Sequence, residues 1–216
     1  MLRSCNTRHG EELVPFRVLI DVARSRANDQ PRRANAITSF VIAQMWDIPV
    51  PIHARLIYED LPGEAWLVQG SIPYALADYE NALLAALKAE RLLEINAALV
   101  VERIDARLLR AQALSLVSED IETSVELMED CLFAYSELGD IAGCVRVLSA
   151  IAVALVVRRP GDNPRPFLEA AASIAKVHND ATLTALVADA VTRAEEYESM
   201  AAAAARMTRR SRSRHK

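Results

Sequence analysis

One periodicity runs through this chain almost from end to end: apolar side chains return every three to four residues, and hardly any stretch alternates. Leu127, Cys131, Ala134 and Leu138 fall at i, i+4, i+7 and i+11, along one face of a helix. Ala82, Ala86, Ala89 and Leu93 form a second stripe, small enough for a neighbouring helix to come close. Ala97, Val101, Ile104, Leu108 and Ala111 make a third, and Leu183, Leu186, Ala190, Ala194 and Tyr197 a fourth. With only six glycines in 216 residues, a fold rich in tight turns is poorly served. The expectation is an all-α protein.

The breaks between stripes are short and polar. Ser118-Glu119-Asp120, Gly139-Asp140 and Pro160-Gly161-Asp162-Asn163-Pro164 carry turn and cap chemistry. Connections of this length force successive helices to lie antiparallel as neighbours. Helices are expected near 11–27, 31–46, 51–60, 64–76, 78–94, 96–117, 120–138, 141–159, 164–178 and 181–205. Residues 1–10 and 206–216 bracket them as expected disordered ends. The segment Val145–Val157 is apolar on every side except at Arg146 and Ser149, so it should be covered all round.

Charge is unevenly placed. Residues 1–50 hold seven Arg against five acids, and 201–216 hold six Arg or Lys and no acid. The stretch 51–200 carries the balance, 12 basic and 24 acidic residues, so an acidic middle lies between basic ends. The tail cations Arg209, Arg210, Arg212 and Arg214 have no aromatic residue interleaved for base stacking. They suit an electrostatic contact with phosphates or an acidic partner rather than sequence reading. Met1–Glu12 has no leader-like apolar run, and the apolar run Val147–Val157 is too short for a bilayer, so a cytoplasmic protein without a membrane role is expected. Three cysteines without CxxC spacing, Cys5, Cys131 and Cys144, are expected to be reduced.

Catalytic signatures are thin. The four histidines lie far apart with no HExxH, and no phosphate loop or GxSxG is present. Glu11-Glu12, Glu119-Asp120 and Glu195-Glu196 are adjacent pairs that diverge on a helix, so they read as solvated faces. Cys144, beside Gly143, reads as a small buried filler. No metal, no cofactor and no catalytic residue are expected.

A repeat is visible at 42 residues. Asp78-Tyr79-Glu80-Asn81-Ala82 matches Asp120-Ile121-Glu122-Thr123-Ser124 in type, and the next step brings Asp162, each between apolar stripes where an Asp would cap the following helix. Trp66, Gly70, Asp78, Tyr79, Ala82 and Ala89 stand where a tetratricopeptide repeat places its own motif residues, and residues 63–178 resemble about three such repeats. The spacing exceeds the usual 34 residues, as in the degenerate arrays of bacterial regulators. Pro73, within the first repeat, is expected to kink or end its helix.

The resemblance implies a right-handed superhelix of antiparallel helix pairs: N-terminal pairs over 11–60, then repeats and a capping helix over 61–205. It also implies a non-enzymatic scaffold for a protein or peptide. The alternatives are the sensing domain of a bacterial transcription or signalling regulator and, third, an all-helical enzyme with an unrecognised site. A homodimer is left open, and nucleic acid enters only through the tail. First helices of such pairs face the concave side, which would place Leu67, Ser71, Tyr74, Leu109, Ala113 and Leu116 in a groove. On the same register stand Ile151, Leu155 and Arg158. Leu109 and Leu116 are expected to be exposed there, Ile151 and Leu155 buried.

Overall fold

The computed structural model describes residues 5–47, 60–94, 99–118, 120–159 and 161–213. Among them there are nine helices and no β-strand: α1 (Cys5–Arg26), α2 (Pro31–Asp47), α3 (Asp60–Ala75), α4 (Tyr79–Leu93), α5 (Val100–Val117), α6 (Ile121–Leu138), α7 (Ile141–Arg158), α8 (Arg165–His178) and α9 (Ala181–Ser213). The fold is all-α, with helices packed in sequence-adjacent pairs. The helix expected at 51–60 lies outside the described residues except at Asp60. Pro73 does not end its helix, which runs on to Ala75. The ends expected to be disordered continue the terminal helices, over residues 5–10 of α1 and 206–213 of α9. For α9 the run Ala201–Ala205 supplies the physical reason, since alanine costs least to hold in a helix.

The chain divides into two compact units, Met1–Ala113 and Leu114–Lys216, with the boundary inside α5. In the first unit α1 packs on α2 and α3, α2 on α3, and α3 on α4. Ile20, Ala23, Ala34, Val41, Leu61, Ala65, Val68 and Ile72 form one core, flanked by Phe16, Ile37 and Trp66. The α3–α4 contact is close because both surfaces are small. A methyl group on Gly63 would sit 2.7 Å from Leu93, and one on Gly70 2.9 Å from Leu109 and 3.2 Å from Ala85. Opposite them α4 buries Ala82, Ala85, Ala86 and Ala89, the face its small-residue stripe predicts.

In the second unit α7 packs on α6, α8 and α9, and α8 packs on α9. Eleven of its residues are buried, among them Val145, Val147, Ile151 and Ala154, as an all-round apolar helix requires. Among the described residues only α7 is long and apolar enough to cross a membrane, and 67% of it is buried inside the structure. A tight hairpin joins α6 to α7. Gly139 takes the left-handed conformation that ends α6, and Asp140 accepts a hydrogen bond from the Gly143 N–H at 2.9 Å to start α7. The fully buried Tyr135 ring lies flat against Gly143, in space that a side chain at 143 would fill.

The capping pattern is partly as expected. Asp78 accepts from the Asn81 N–H and side-chain amide, and Asp120 accepts from the Thr123 N–H at 3.1 Å and hydroxyl at 2.6 Å. The same device therefore recurs at the 42-residue spacing. Asp162 corrects the series: α8 begins at Arg165, beyond its reach, and has no side-chain cap bond. Asn163 accepts from the Arg165 N–H instead, while Asp162 lies 3.6 Å from Arg159.

Candidate interaction surface

Of the two leucines expected to be exposed along the groove, one is placed otherwise. Leu109 is 7% exposed and Ala113 fully buried, which corrects the exposure expected at Leu109. The physical reason is Gly70, whose missing side chain leaves the space that Leu109 occupies. Leu67, half-buried, packs with Trp66 against the core formed by Ala89, Leu93 and Ala106. Ser71 is half-buried and donates to the Val68 carbonyl at 2.7 Å. Tyr74 is half-buried, its ring edge-on to Tyr79 at 5.5 Å. Leu116 is half-buried, and Ile151 and Leu155 are buried. Arg158 donates to the carbonyls of Ser115, at 2.6 Å, and Leu116, so its guanidinium closes the last turn of α5. Of the tail cations, Arg209, Arg210 and Arg212 fall in the last turns of α9, and Arg214 lies outside the described residues.

Buried acids have structural partners. Glu64 accepts from Arg17 at 3.0 Å and Arg24 at 3.3 Å, and Glu90 from Arg107 at 3.0 Å and Arg110 at 2.9 Å. Each carboxylate is buried and takes one guanidinium per oxygen, which compensates its desolvation and ties α1 to α3 and α4 to α5. Burial pushes the Cys144 thiol up, with the Asp140 carboxylate adding to the effect, so a reactive thiolate is disfavoured. No three His, Cys, Asp or Glu among the described residues converge to hold a metal. The cleft of about 540 Å³ beside the 161–164 loop offers Asp162, Asn163 and Glu198 as polar groups and no cation.

The surface that stands out is on α6. Its buried side carries Ile121, Ser124, Met128, Cys131 and Tyr135. Diametrically opposite, Glu122, Glu126, Glu129, Asp130, Phe133 and Glu137 share one exposed face. Phe133 is 68% exposed in the middle of it. The helix has five acids and no Lys or Arg. Glu122 pairs with Arg159, but among the described residues Glu126, Glu129, Asp130 and Glu137 make no ion pair. Glu122/Glu126 and Glu126/Asp130 are like charges at i, i+4, each destabilising by roughly 0.2–0.5 kcal/mol, and Glu137 opposes the helix dipole in the last turn. Sequence reasoning passed over this face because it followed the apolar stripe; the absence of cations over 121–138 was the available signal.

No family model, no characterised protein and no solved structure matches this chain.

Proposed function

We propose that the chain is a non-enzymatic helical-repeat scaffold that holds a cationic, amphipathic protein segment on the acidic face of α6. The observation that carries this is Phe133, a large aromatic ring left in water amid five acids without one basic residue on its helix. Such a face is costly alone and complementary to a helix or strand presenting Lys or Arg around an apolar side chain. The paired Asp78 and Asp120 caps, 42 residues apart, support stacked pairs of the tetratricopeptide type and a superhelical arrangement. On that reading the binding surface is a second helix of a pair rather than the first helices. A regulatory setting in a bacterium follows from the same resemblance, a cytoplasmic one rests on cysteines without paired spacing, and the partner is a protein rather than a cofactor.

The test is titration of a fluorescent Lys/Arg-rich amphipathic peptide, followed by anisotropy. Binding should weaken with salt and fall at least about tenfold in Phe133→Ala, which leaves the charge untouched. Binding that depends on Glu126 and Asp130 but not on Phe133 would be counterion attraction alone and would sink the proposal.

A further inference from the structure

The last helix is longer than its unit needs. Leu183, Val187, Ala190 and Ala194 anchor α9 against α7 and α8, and Tyr197 is half-buried. From Glu198 onward every residue whose side chain is described is exposed, yet the helix runs on to Ser213. The extension from Glu198 is about four turns long. A helix of this kind gains little from solvent and is marginal by itself at such a length.

Its sequence is not that of an inert spacer. Tyr197, Met200, Ala204 and Met207 are spaced by three, four and three residues, the a/d pattern of a helix–helix seam. Met200 is 65% and Met207 75% exposed, and Ala204 is exposed. The seam lies beside, not on, the stripe that Leu183, Val187, Ala190 and Ala194 bury, so Met200 and Met207 are accessible to another chain. Charge along the extension is segregated. Glu195, Glu196 and Glu198 precede the alanines Ala201–Ala205, and Arg206, Arg209, Arg210 and Arg212 follow them.

We infer that two copies of this chain associate through antiparallel pairing of their α9 extensions, about a two-fold axis near Ala202. The pattern selects both occupant and direction. A parallel pair would stack acids on acids and arginines on arginines, whereas an antiparallel pair lays each half on its opposite. In that register Tyr197 of one copy meets Met207 of the other, and Met200 meets Ala204. Glu196 falls beside Arg210 at the flanking positions of the seam. The alanines between them let the backbones approach closely, and the interface is isologous, as a closed dimer requires. This association uses α9 alone and does not depend on the α6 face.

Sedimentation velocity of the full chain over a concentration series tests it. A monomer–dimer equilibrium is expected, weakened by salt. Reversing the arginines (Arg206→Glu, Arg209→Glu, Arg210→Glu, Arg212→Glu) should weaken dimerisation at least about tenfold, and so should reversing Glu195, Glu196 and Glu198 to Arg. Mixing the two variants should restore association as a heterodimer. Direction is read by mixing Tyr197→Cys and Met207→Cys chains: antiparallel pairing gives the 197–207 disulfide in preference to either like pair, identified by peptide mass. A chain that stays monomeric, a dimer indifferent to both reversals, or preferred 197–197 and 207–207 linkage would each overturn the inference. So would loss of the dimer in Glu126→Lys/Asp130→Lys, which would place the arginines on α6 instead.

Discussion

Leu109 shows how one absent side chain relocates another. The leucine reaches into the gap over Gly70, so a charge there would be stripped of water with no partner. Leu109→Glu should destabilise the protein by several kcal/mol, seen as a large drop in melting temperature. Gly143 is the same situation in reverse. It is a helical residue with ordinary backbone angles, yet Gly143→Ala should cost about 1–3 kcal/mol because its methyl group would collide with the buried Tyr135 ring. Asp120 gives a pH signature. The Thr123 hydroxyl, and then the Thr123 N–H, hold its carboxyl below the usual range. The stability this contributes is present above the ordinary carboxylate pKa and is lost as pH falls through the lowered one. Asp120→Asn should therefore flatten the acid-unfolding profile below about pH 4, measured by circular dichroism against pH.

At the scale of the element, caps and turns were legible because they act locally. Asp78, Asp120 and the Gly139-Asp140 hairpin do in the structure what their side chains allow within three residues. Asp140→Ala should cost about 0.5–2 kcal/mol, measured by chemical denaturation. What was misread depends on neighbours. The stripe Leu127–Cys131–Ala134–Leu138 is rotated away from the observed core of α6: Leu138 is exposed, while Met128 and Tyr135 are fully buried. Several apolar faces compete on such a helix, and the one that wins is the one the α6–α7 hairpin turns inward, where Gly143 admits an aromatic ring. The candidate binding face was hidden for the same reason, since its meaning rests on which side is buried. The Arg clamps on Glu64 and Glu90 were illegible too, because the groups that meet are 17 to 47 positions apart along the chain.

For the molecule as a whole, helical periodicity was enough to fix the class, and far-ultraviolet circular dichroism should show more than about 60% helix, well above the base rate for globular proteins. The division at Ala113 was not announced by any change in composition, because it falls inside a helix rather than in a linker. That division has an optical consequence. Trp46 and Trp66 are the chain's two tryptophans, and both precede the boundary; Trp66 lies against the first unit's core with the Lys88 ammonium 4.1 Å from its ring centre. The half that carries Phe133 and α9 has no indole at all, so ultraviolet emission excited at the red edge is a label on residues 1–113 alone. Melting followed by that emission and by ellipticity at once reads one half against the sum of both, without a dye or a mutation.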